Sequence, residues 1–220
     1  MAETAKSVVL ILTALFPIVN PLGGSPIFLA LTRDYSPKVR RALSRQIAMN
    51  SFFLLVSSYL IGSHILKFFG ISIPVVQVGG GLVVISTAWA MLKRPEEDER
   101  SEMRRSTQPK DPLHQAFYPL TLPLTVGPGS ISVAITLGAN APQHQEFHLL
   151  TLLAALIGTV LIALSVFLCY GFSDRLAQAL GPAAMNVILR LSSFLLVCIG
   201  VQIFWNGASA LLLSITLTER

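Results

Sequence analysis

Six stretches of the chain are apolar over a membrane-spanning length, with polar or charged joints between them. They cover residues 7–31, 46–69, 72–91, 116–137, 149–172 and 184–213. A helix needs about 20 mostly apolar residues to cross the hydrocarbon layer, where each backbone N–H and C=O must find its partner inside the protein. The pattern therefore predicts an all-α membrane protein of six transmembrane helices. The first run follows Lys6 as an export leader would, but no small-x-small cleavage site comes after it and it continues through Pro21 to Leu31. It is expected to stay as a span.

Two of the spans are interrupted at matching places. The first holds Pro17-Ile18-Val19-Asn20-Pro21-Leu22-Gly23-Gly24-Ser25-Pro26, and the fourth holds Pro123-Leu124-Thr125-Val126-Gly127-Pro128-Gly129-Ser130. Proline lacks an N–H and clashes with the preceding turn, and glycine adds conformational freedom, so residues 20–25 and 127–129 are expected to unwind or kink their helices. The third and sixth spans also correspond loosely, Gly80-Gly81-Leu82-Val83-Val84-Ile85-Ser86 against Ser192-Ser193-Phe194-Leu195-Leu196-Val197-Cys198. Three spans per half is an odd number, so the second half enters the membrane upside down. The organisation read here is a 3+3 inverted repeat, residues 1–92 and 116–220, joined by a charged cytoplasmic linker at 93–115.

Charge sets the orientation. Arg33, Lys38, Arg40, Arg41 and Arg45 crowd the first joint, and Lys93, Arg94, Arg100, Arg104, Arg105 and Lys110 the third, whereas Lys6, Lys67 and Arg220 scatter on the other side. The positive-inside rule then places both termini in the periplasm. The same clustering accounts for the net charge of +5 without nucleic acid, and with 53% hydrophobic and 12% charged residues the chain is built for lipid. Cys169 and Cys198 lie singly in apolar runs and form no CxxC pair, which points to packed, inert thiols.

Broken backbone at membrane depth is tolerated only when buried in protein or lining a wet cavity. Helices resuming at Gly24-Ser25 and Gly129-Ser130 would aim free N–H groups at the breaks and favour a carboxylate, while carbonyls of the preceding half-helices, with the side-chain oxygens of Asn20, Thr125 and Ser130, suit an ammonium group or a sodium ion. The candidate substrate and ion site is therefore Asn20, Pro21, Gly23, Gly24, Ser25, Thr125, Gly127, Pro128, Gly129 and Ser130. Asn50, Gln77 and Gln202 are secondary candidates, with Asn206 beside them, although such amides equally join helices by hydrogen bonds. Arg190 is the one charge well inside a span and is read first as a snorkelling or paired side chain; His64 is read as interfacial. Gly79-Gly80-Gly81 offers a surface without side chains, suited to close packing against a broken helix.

Asn20-Pro21-Leu22-Gly23, Phe69-Gly70-Ile71-Ser72-Ile73-Pro74 before the glycine-rich third span, Gly127-Pro128-Gly129, and Leu195-Leu196-Val197-Cys198-Ile199-Gly200-Val201-Gln202 together resemble the MarC family, over nearly the whole chain. The resemblance implies a bacterial inner-membrane protein related to neutral amino acid transporters, within a wider group of small six-span exporters. It carries the break motifs onto residues 20–24 and 127–129.

The leading expectation is a secondary transporter or exporter of small neutral or zwitterionic solutes, working by alternating access with sodium or a proton as coupling ion. A channel-type facilitator for a small neutral solute is the alternative, and a non-transporting membrane scaffold is a third reading. No Asp or Glu lies in a span, and the chain has no HExxH or GxSxG, so no catalytic residue, metal site, cofactor or enzymatic activity is expected. The expected partners are the solute and the bilayer, with a homo-oligomer compatible and nucleic acid excluded.

Overall fold

The computed structural model describes residues 2–93, 115–141 and 148–218, so the predicted linker at 93–115 lies, apart from its two end residues, outside the described residues. Among the described residues the chain is helical, with no strand. The elements are α1 (Ala2–Val19), α2 (Pro21–Leu31), α3 (Pro37–Phe68), α4 (Ile73–Lys93), an irregular helical segment at Ala116–Thr125, α5 (Pro128–Ala139), α6 (His148–Gly171) and α7 (Ser173–Thr218). Among the described residues five spans are long and apolar enough to cross a membrane, and a sixth arises if the irregular segment and α5, bent by 69° at residues 126–127, count as one.

Two helices begin earlier than their apolar runs. Ser36 caps α3, its hydroxyl accepting from the Val39 N–H at 3.4 Å, and Pro37 follows at the first helical position. The resulting 32-residue helix is about 48 Å long by its rise per residue, well beyond the roughly 30 Å hydrocarbon core. The last helix starts at Ser173 rather than near 184 and is interrupted at Gly181, where φ of +75° requires glycine.

Packing divides the bundle into two units. The larger core joins α1, α2, α3, the irregular segment, α5 and α6 through side chains such as Leu15, Phe28, Ile47, Leu120, Ala134 and Ile162. The smaller joins α4 to α7 through Val84, Ala88 and Leu196. Contacts pair Pro74 with Gly207, and Gly81 with Gly200, so α4 and α7 run antiparallel. The expected packing of the glycine triplet against a broken helix holds at Gly80 alone, because its three members do different things. A Cβ on Gly81 would fall 2.6 Å from the Phe204 nitrogen of α7, one on Gly80 would fall 2.6 Å from the Ser132 Cβ of α5, and one on Gly79 would meet nothing within 4 Å.

At one end of the bundle a buried ion pair ties distant segments together. Arg40, 8% exposed, grips both carboxylate oxygens of Asp174 (Nε to Oδ2 3.0 Å, Nη2 to Oδ1 2.7 Å) and donates from Nη1 to the Thr32 carbonyl at 3.0 Å. Thr32 caps the C-terminus of α2, so one guanidinium satisfies that helix end and holds the first turn of α7 beside it.

Candidate functional site

The first break is narrower than expected. Asn20 alone leaves the helix, at φ +46° and ψ +58°, a left-handed conformation that asparagine tolerates better than most residues. Helix α2 restarts at Pro21, whose missing N–H costs nothing at the first helical position. The expectation of free N–H groups at Gly24-Ser25 is overturned here. Asn20 takes both nearby donors, its Oδ1 accepting from Gly23 N–H at 3.1 Å and its main-chain oxygen from Gly24 N–H at 2.9 Å. The bond to Gly23 fixes which end of the amide is oxygen, and leaves Nδ2 buried with no hydrogen-bond partner.

The second break extends in the opposite direction from that expected. Pro128 and Gly129 are already helical, and the irregular backbone precedes them, with non-helical angles at Tyr118 and Leu122. The cause is the tandem Pro119-Leu120-Thr121 and Pro123-Leu124-Thr125. Each proline removes a main-chain donor, and each threonine donates to a carbonyl five residues back, Thr121 to Ala116 at 2.6 Å and Thr125 to Leu120 at 2.7 Å. Gly127 then caps α5 with extended backbone and no side-chain hydrogen bond. With Pro128 lacking an N–H, Gly129 and Ser130 carry the first main-chain donors of α5, which an α-helix cannot satisfy internally.

The two breaks meet at one cavity of about 190 Å³. Of the predicted set, Asn20, Gly24, Thr125, Gly127, Pro128, Gly129 and Ser130 line it, with Val83, Val84, Thr87, Ala88 and Met91 of α4 and Leu196 of α7 on its other side. It therefore sits on the seam between the two packed units. No charged side chain lines it. Pro21, Gly23 and Ser25 are not in its wall. Ser25, fully buried, donates to the Cys169 carbonyl at 3.1 Å and joins α2 to α6.

The secondary candidates lie elsewhere, and for them the site expectation is corrected. Asn50 donates to Thr121 Oγ1 at 3.3 Å and Gln77 to Thr136 Oγ1 at 3.4 Å, each joining two elements. Gln202 donates to Asn206 at 2.8 Å on an exposed face of α7, and Arg190 is exposed on the same helix. Polar residues in membrane helices often serve as such ties, and spacing alone does not separate the two uses. His64 lines a second cavity of about 520 Å³ with Lys67, at the far end of α3.

Tyr170 is the important residue that the sequence reading missed. Fully buried, it stacks on Phe28 with ring centroids 4.7 Å apart and puts its hydroxyl 3.1 Å from Thr125 Oγ1. The threonine proton is already given to Leu120, so Tyr170 is the donor. A Cβ on Gly24 would strike that same hydroxyl. One phenol thus spaces the two breaks. Gly24→Ala is expected to destabilise the protein by about 1–3 kcal/mol through overpacking. Adding Tyr170→Phe, which alone costs about 1 kcal/mol for the lost hydrogen bond, is expected to recover part of that loss. A double-mutant cycle by thermal unfolding checks this, and strict additivity of the two losses would contradict the contact.

Comparison with known proteins agrees with the membrane architecture. A family model described as MarC family integral membrane protein matches residues 5–212. The chain is 30% identical over 201 residues to the "UPF0056 membrane protein YvbG" of Bacillus subtilis, covering 91% of this chain and 93% of that one. It is also 30% identical over 212 residues to the "UPF0056 inner membrane protein MarC" of Salmonella typhimurium and of Escherichia coli, covering 94% of this chain and 96% of each of those. No solved structure matches it.

Proposed function

The chain belongs to the MarC family of integral membrane proteins, and on that footing we propose that it is a secondary transporter or exporter of small neutral or zwitterionic solutes, neutral amino acids foremost, in a bacterial inner membrane. The observation that carries the reading is the cavity that residues of both helix breaks line, Asn20 and Gly24 from one and Thr125, Gly127, Pro128, Gly129 and Ser130 from the other. The uncapped N-terminus of α5 adds main-chain donors and the positive end of a helix dipole. Together they suit a carboxylate. Carbonyls at the end of α1 suit an ammonium group or a sodium ion.

The wall selects against net charge. With no ionised side chain among the described residues to compensate it, an organic solute of net charge would be desolvated among valine, alanine and leucine at heavy cost, whereas a zwitterion finds an opposite dipole at each end. At about 190 Å³ the space also falls below the roughly 300–1,000 Å³ of drug-sized pockets. Its place on the seam between the α4–α7 pair and the rest suits alternating access, in which one unit rocks against the other around a fixed site. An inverted 3+3 repeat with both termini in the periplasm accounts for the antiparallel α4 and α7, and puts the Arg40–Asp174 end at the cytoplasmic face.

The test is thermal unfolding of the purified protein with a panel of small amino acids in sodium and in potassium. A bound solute at a hundred times its Kd stabilises by about 2.7 kcal/mol, several degrees for a chain of this size. The expected result is a sodium-dependent shift for one or more zwitterions, absent in Asn20→Ala, together with saturable uptake in liposomes. Linear, gradient-independent flux would replace the transporter with a pore. An unchanged ligand shift in Asn20→Ala would remove the solute from the breaks.

A further inference from the structure

A concave groove of about 850 Å³ opens between the start of α3 and the α6–α7 joint, away from the helix breaks. Lys38, Arg41 and Arg45 enter it from one face of α3, at spacings of three and four residues, and Arg175 enters from α7. Arg40 and Asp174 also border it, but they neutralise each other in their bidentate pair. Among the described residues, four cations with no acidic partner in the wall therefore converge on one site, every one of them exposed.

The groove is built rather than merely basic. Two guanidinium groups approach the Phe172 ring, Arg41 at 5.2 Å and Arg175 at 5.5 Å from its centroid. Stacking on one ring restrains two forks that already suit the oxygens of a phosphate. Its depth is set by its neighbours. Helix α6, an apolar span over Leu150–Gly171, ends at the groove, and Phe167 from its last turns forms part of the floor. The basic turns of α3 are the part of that helix left over once the hydrocarbon has been crossed. The site thus sets exposed cationic side chains of α3 and α7 beside the apolar end of a span.

We propose that this groove binds the head group of an anionic phospholipid, its phosphate held by Arg41 and Arg175 with Lys38 and Arg45 around it, and its acyl chains against Phe167. Charge complementarity and depth together select a lipid over a soluble anion. Bound there, it bridges α3 to α7 across the Arg40–Asp174 pair. The inference stands apart from the solute site and does not depend on it.

Retention of phosphatidylglycerol against phosphatidylcholine of the same acyl chains, read by native mass spectrometry on the purified full-length protein, tests it. Wild type is expected to hold phosphatidylglycerol selectively. Each cation near a membrane surface contributes about fivefold in affinity. Arg41→Gln/Arg45→Gln/Arg175→Gln should therefore lose about a hundredfold by the same scale, and Lys67→Gln, at the other end of α3, should lose nothing. Arg45→Gln alone, an exposed position outside the stacked pair, gives the fivefold step if the triple variant fails to fold. Equal retention by the variants, or equal retention of phosphatidylcholine, overturns the proposal. Complete displacement of phosphatidylglycerol by inorganic phosphate would make the groove a site for a soluble anion and overturn it as well.

Discussion

Replacing Gly81 with leucine is expected to leave little or no folded protein, whereas the same change at Gly79, two residues away, is expected to be tolerated. At Gly81 the main chains of α4 and α7 touch. An added Cβ would fall 2.6 Å from the Phe204 nitrogen, 2.8 Å from its Cα and 2.8 Å from the Gly200 carbonyl oxygen. None of these is the tip of a flexible side chain, so the helices themselves would have to separate. Gly200 meets Ile85 N and Gly81 O from the other side, and Gly207 does the same against Pro74 O and Val78 N. The seam thus repeats every seven residues of α7, and separating it at one point strains the next. In lipid, where apolar surface gains little by leaving the solvent, such close packing is what holds two helices together. Overpacking usually costs about 1–3 kcal/mol, and here, with backbone on both sides, the loss is expected at or above the top of that range. Gly79 is exposed and its Cβ would meet nothing within 4 Å, so Gly79→Leu should stay within about 0.5 kcal/mol of wild type. Monodisperse yield and thermal stability in detergent separate the two; equal behaviour would mean that α4 and α7 do not pack through this face.

Asp174→Ala is expected to destabilise the protein by about 3 kcal/mol, near the low end for a one-sided break of a buried pair because Asp174 is 29% exposed. The loss comes mainly from what is left behind. Arg40 would keep only main-chain acceptors, Thr32 O at 3.0 Å and Arg33 O at 3.4 Å, for a buried positive charge. The double variant Arg40→Met/Asp174→Leu removes both charges and is expected to be more stable than Asp174→Ala, because burying two apolar groups carries no ionic desolvation. At roughly 2–4 °C per kcal/mol the single change should lower the unfolding midpoint by about 6–12 °C. A single variant no less stable than the double would show that the pair is exposed and screened in solution.

Most of the residues around the cavity between the breaks were legible, and the reason is local. Asn20-Pro21 interrupts a helix through its own stereochemistry, as Gly127-Pro128 does, so both breaks can be located without knowing what packs beside them. The extent of each break was less legible. Asn20 satisfies Gly23 and Gly24 itself, which confines the first break to one residue, and the tandem Pro-Leu-Thr before Gly127 extends the second upstream. That tandem was present in the sequence as a signal, with a threonine two places after each proline. Tyr170 gave no such signal. A tyrosine near the end of an apolar run usually marks the membrane interface, and only the approach of α6 to Gly24 and Thr125 makes it a spacer between the breaks.

The sequence by itself determined the membrane class and the helical secondary structure, because lipid imposes composition on any span, and it marked where proline and glycine disturb their own backbone. Tertiary structure decided everything that depends on a distant partner. Arg40 and Asp174 are 134 residues apart and read separately as a topology signal and an edge residue, yet in the fold they form one buried pair. Gly79, Gly80 and Gly81 read alike, and their different neighbours separate lipid-facing surface from helix contact. Asn50, Gln77 and Gln202 read as site candidates and became ties between elements or a surface pair, since an amide's role is set by what faces it. Composition and local stereochemistry act along the chain; packing, pairing and the cavity between the breaks arise only when segments remote in sequence are brought together.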